Sequence, residues 1–153
     1  MMRPYTRRAR RFGFSMLELV VALAMLAVMV GYGLPAYVAH AARGHRIEAV
    51  VALHRAAQYV AVRMTEVDID SQPALPPGLD RVPEHGRIAY RIEWVPAADG
   101  RAGYEIWAIP VEGGPMHGDA CGTFVLDRFG MRSNRDARGG GVDAQACWAG
   151  RAA

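Results

Sequence analysis

Residues 19–39 form a run of 21 positions without Asp, Glu, Lys or Arg. Wound into a helix at about 1.5 Å per residue, such a run matches the roughly 30 Å hydrocarbon core of a bilayer. Any fold for this chain must therefore give that segment lipid or other apolar neighbours. Ahead of it stand Arg3, Arg7, Arg8, Arg10 and Arg11 with no acidic residue among them. By the positive-inside rule they hold the N-terminus in the cytoplasm and send the chain beyond residue 39 across the membrane. The formal net charge of +3 loses these five arginines when residues 1–13 are set aside and becomes −2. Overall basicity is thus no argument for a nucleic-acid partner. With 153 residues, 52% of them hydrophobic, the chain is also long enough for one domain with its own core.

Helical signal continues beyond the apolar run. At a period of 3.6, Val50, Leu53, Ala57, Val60, Ala61 and Met64 share one side, while Glu48, Arg55, Arg63 and Glu66 share the other. A helix from Phe14 to about Val67 would be roughly 80 Å long, more than one small globule covers, so it needs neighbours. Pro35, preceded by Gly31 and Gly33, is expected to bend it or loosen one turn. Pro73, Pro76, Pro77 and Pro83 then end the helix and make an extended crossing.

The C-terminal half reads as strands. Ile88, Tyr90, Ile92 and Trp94 alternate with Arg87, Ala89, Arg91 and Glu93, the two-residue period of a sheet with one covered face. Residues 104–111 and 122–127 are further candidates, Asp99-Gly100 suits a hairpin turn, and a short fourth strand is expected from Met131. The expected architecture is α+β, an antiparallel sheet of three or four strands laid on the amphipathic half of the helix. Gly139-Gly140-Gly141 has no phosphate-loop pattern around it and reads as a loop.

Catalytic chemistry is not indicated. The histidines at 40, 45, 54, 85 and 117 have no metal-ligand spacing, no nucleophile motif occurs, and nothing points to a cofactor. Asp68 and Asp70 are only a fragment of a calcium loop. Cys121 and Cys147 fall on the exported side, where a disulfide is permitted and only one intramolecular pairing exists; two unpaired buried thiols are the alternative.

Function is concentrated in Gly13-Phe14-Ser15-Met16-Leu17-Glu18-Leu19. A carboxylate at the edge of a membrane span is costly unless something compensates it, so Glu18 is either a snorkelling interfacial residue or a functional one. With the arginines before it and the apolar run after it, this segment resembles the start of type IV pilin precursors. The resemblance implies the type IV pilin fold, cleavage between Gly13 and Phe14 by a prepilin peptidase, N-methylation of the new Phe14 amine, and an assembly role for Glu18. Pro35 also stands where the family favours a proline. It further implies a basic leader (1–13), a transmembrane and assembly half of the helix (14–41) and an exported head with a disulfide loop (42–153).

The head resembles the PilE-type minor pilins in Tyr104-Glu105-Ile106-Trp107-Ala108-Ile109-Pro110, in Cys121-Gly122-Thr123-Phe124-Val125-Leu126-Asp127, in Gly130, and in Cys147-Trp148. The expected role is a structural subunit whose partners are other pilin subunits, the peptidase, the inner-membrane assembly machinery and, before assembly, the inner membrane itself. Arg128, Arg132, Arg135 and Arg138 lie between the cysteines and could contact DNA phosphates, diluted by Asp127 and Asp136. A DNA-binding minor pilin and a type II secretion pseudopilin are the alternatives. For the N-terminus the rival is an ordinary secretory signal cut near Ala39-His40-Ala41.

Overall fold

A computed structural model describes residues 13–66, 74–96, 103–135 and 143–151. The leader arginines, Asp68, Asp70, Pro73, Asp99-Gly100, Asp136, Arg138 and Gly139-Gly140-Gly141 lie outside the described residues, as does the side chain of Glu66. The chain divides into two compact units, Met1–Tyr37 and Val38–Ala153. Helix α1 (Met16–Glu66, 51 residues) contains the boundary between them.

In the first unit the described side chains stand exposed, and this helix is long and apolar enough to cross a membrane. Of the two expectations at Pro35, a bend or a loosened turn, the second is not met: the α-helix is uninterrupted there. Proline removes its own donor to the carbonyl four residues back, and its ring crowds that residue. That residue is Gly31, which has no side chain to crowd the ring, and around both Gly31 and Gly33 the space within 4 Å of a Cβ is empty.

The second unit carries the core. Strands β1 (Arg81–Val82), β2 (Tyr90–Pro96), β3 (Tyr104–Pro110), β4 (Thr123–Asp127) and β5 (Arg132–Arg135) pair antiparallel in sequence order, and a short helix α2 (Ala144–Trp148) comes last. The sheet thus has five strands where three or four were expected, the addition being the two-residue β1. The strand expected from residue 87 starts at Tyr90, and Ile88 lies before it. Residues 97–102, where the Asp99-Gly100 turn was expected, lie outside the described set, but Pro96 pairs with Tyr104 across the two strand ends.

Register explains the core. Ile92 pairs with Ala108, Ile106 with Leu126 and Ala108 with Phe124, and all of these are buried. Because side chains alternate along a strand, one face carries this apolar set. The buried stripe of the helix is Ala49, Leu53, Ala56 and Val60, joined in the same core cluster as Tyr90, Phe124 and Trp148. Their spacing of four, three and four residues is that of one helical face. Ala61, expected inside, is exposed, and Val50, Ala57 and Met64 are half-buried at the margins. The face is centred on alanines, which let bulky sheet residues approach the helix backbone; a reading weighted towards large side chains places it about one position too far along.

The link from β3 to β4 is a series of turns closed by Val111 O to Gly114 N, Gly114 O to His117 N, Met116 O to Asp119 N and Asp119 O to Gly122 N. Met116 fills the core from this link. A Cβ at Gly114 would lie 2.9 Å from both the Ile88 and Val111 carbonyl oxygens, so only glycine fits where these segments meet.

Candidate functional site

The start of α1 is built from Ser15. Its hydroxyl accepts from the Leu17 amide at 3.3 Å, and its carbonyl accepts from the Leu19 amide at 3.2 Å, which makes it the N-cap. Gly13 and Phe14 therefore precede the helix, and nothing lies within 4 Å of a Cβ built at Gly13. Glu18 falls in the first turn and is exposed. The positive end of the helix dipole favours a carboxylate at this position. Ser15-Met16-Leu17-Glu18 has the Ser-x-x-Glu spacing of a capping box, a signal by which sequence reasoning could have found Ser15 and did not.

At the other end of the chain, Cys121 and Cys147 form a disulfide with a Cα–Cα distance of 5.7 Å. The bond ties α2 to the entrance of β4. Asp143 caps α2, accepting from the amides of Gln145 and Ala146. Trp148 packs its ring edge-on against Phe124 at 5.6 Å and lies 6.3 Å from His54 of α1. The β4–β5 turn is held by Asp127, whose Oδ1 accepts from the amides of Phe129 and Met131 at 2.8 and 2.7 Å.

The arginines between the cysteines do not form a single strip. Arg132 pairs in register with Leu126 on the core-facing side of the sheet and lies over the Trp148 ring at 5.4 Å. Arg135 pairs with Thr123 on the opposite face, lies over Trp107 at 4.5 Å and meets Glu105 at 3.6 Å. They stand three positions apart on the strand, an odd offset, so pleating sends them to opposite sides. Arg128 lies over Phe129 at 4.4 Å beside the turn. Arg138 is outside the described residues.

A buried ion pair went unread in the sequence. Arg46, 4% exposed, extends the apolar stripe of α1 and donates from Nε and Nη2 to the two carboxylate oxygens of Asp119 at 3.1 and 2.5 Å. Asp119 Oδ1 also accepts from the Cys121 amide at 3.0 Å. One carboxylate thus joins the helix to the disulfide. Among the described residues, neither the hydroxyl of the wholly buried Tyr90 nearby nor Arg46 Nη1 has a hydrogen-bond partner. Burial, and then the charge of Asp119, push the Tyr90 phenol well above its ordinary range. At the head surface, hydrogen bonds from Arg81 hold the Asp80 carboxyl down at about 2.

Among the described residues no group of three His, Cys, Asp or Glu side chains could hold a metal ion. The chain matches no family model and no curated protein.

Proposed function

We propose that this chain is the precursor of a structural subunit of a type IV pilus-like fibre, probed most directly through its N-terminal segment. The observation that carries the reading is a capped helix whose first half is apolar and exposed, with Glu18 the single acidic group at its start. Such a surface is stable only against lipid or against the same surface of other subunits. The precursor is held in the inner membrane with its basic leader in the cytoplasm, and a prepilin peptidase cuts between Gly13 and Phe14.

Cleavage creates an ammonium at Phe14 four residues from the Glu18 carboxylate. In an apolar setting each unpaired charge is expensive, so each attracts an opposite charge from a neighbouring subunit. Glu18 of an entering subunit meeting the terminal amine of a seated one then sets the stagger of the fibre. The disulfide-closed head, 38–153, faces outward. A DNA-uptake role is less favoured because Arg132 and Arg135 lie on opposite sheet faces.

Co-expression with a prepilin peptidase tests the processing step. The wild-type chain shortens by 13 residues at its N-terminus. Gly13→Leu remains full length, because a side chain is placed where the scissile bond must be approached. A Gly13→Leu chain that is shortened as efficiently as wild type sinks this assignment.

A further inference from the structure

Arg132 of β5 and Arg151, just beyond α2, line one open pocket of about 490 Å³ together with Gln145, Trp148, Ala144 and Ala149. Arg46, Arg81 and Arg135 each hold a carboxylate elsewhere in the head. Among the described residues neither Arg132 nor Arg151 has one. Asp143, the acidic residue nearest this pocket in the sequence, is engaged by the Gln145 and Ala146 amides of its own helix.

Among the described residues no carboxylate lines this pocket. At the end of α2 the carbonyls of Gln145, Ala146 and Cys147 accept from the amides of Ala149, Arg151 and Gly150. Arg132 lies over the Trp148 ring with its guanidinium carbon 5.4 Å from the centroid, a contact that does not use its N–H donors. The supports are rigid: the disulfide fixes Cys147, the Asp143 cap fixes the first turn, and the Arg151 amide is bonded back to the helix.

From this geometry we infer that the pocket is a binding site for an oxyanion, phosphate or carboxylate, held between the Arg132 and Arg151 guanidiniums with the Gln145 amide as a further donor. Charged forks of this kind are matched by planar or tetrahedral oxyanions. The volume exceeds that of a bare ion and accommodates one borne on a ring-sized group such as an acidic sugar. This inference concerns the head alone and does not depend on fibre assembly.

The test uses the full ¹⁵N-labelled chain in a non-ionic detergent, titrated with inorganic phosphate or with glucuronate against chloride at equal ionic strength. Saturable shifts of the Trp148 indole and Arg151 amide signals are expected with at least one probe, weakening as salt rises. Arg132→Gln and Arg151→Gln, both surface changes, should each lower affinity at least about tenfold while the Phe124 and Leu126 amide signals stay in place. The tighter of the two probes identifies whether the anion is a phosphate or a carboxylate. Absence of saturation with both, or saturation unchanged in both variants, overturns the site.

Discussion

Arg46 lies on a helix face otherwise made of Ala49, Leu53, Ala56 and Val60, and the Asp119 carboxylate is what makes that position tolerable. Removing one partner leaves the other charge buried, so Asp119→Ala should cost about 3–5 kcal/mol, read by denaturant unfolding of the chain in detergent. Arg46→Met with Asp119→Leu should recover much of that loss, since an apolar pair can replace a buried ion pair. Tyr90 gives a pH signature. Its folded pKa is raised, so its contribution is complete below about pH 10 and is lost as pH climbs further. Tyr90→Phe should remove that alkaline decline and cost little at neutral pH, because the hydroxyl has no partner; an unchanged alkaline limb would refute the assignment. Glu18→Ala should leave cleavage at Gly13 intact and sharply reduce the amount of subunit in fibres, scored by immunoblot of sheared material. The start of the helix near Glu18 was legible because its signals are local. Arg46 was not, since a lone arginine in a helix reads as surface and its partner is 73 residues away.

At the scale of elements, alternation revealed β2 to within a few residues, and short apolar runs revealed β3 and β4 to within one. Two-residue β1 is too short for any period to register, and β5, with Arg132, Ser133, Asn134 and Arg135, has no apolar residue to reveal it beyond the turn at Gly130. The helix was evident, and its seam was misplaced because Ala49 and Ala56 carry little hydrophobic weight although they are wholly buried. The disulfide joins elements that contact the sheet only near its edge. Replacing Cys121 and Cys147 with serine should lower stability by about 3–4 kcal/mol for a separation of 26 residues. Hydrogen exchange should then rise first in α2 and β5, with β2 and β3 little affected; uniform loss of protection would contradict this division.

For the whole molecule, the two units meet different needs. The head, 38–153, closes its own core with a sheet, half of a helix and one disulfide. The preceding segment presents Leu19, Leu23, Leu26 and Leu34 to its surroundings, each more than half exposed, and needs lipid or other apolar neighbours. Under the proposed function, a leader that is removed and an apolar helix that is transferred from membrane to fibre account for both. The decisive measurement is the intact mass of this subunit recovered from sheared surface fibres. The proposed function predicts a chain that begins at N-methylated Phe14 and retains the entire apolar helix. A fibre fraction lacking the chain, or a mature chain that begins after Ala41, would contradict it.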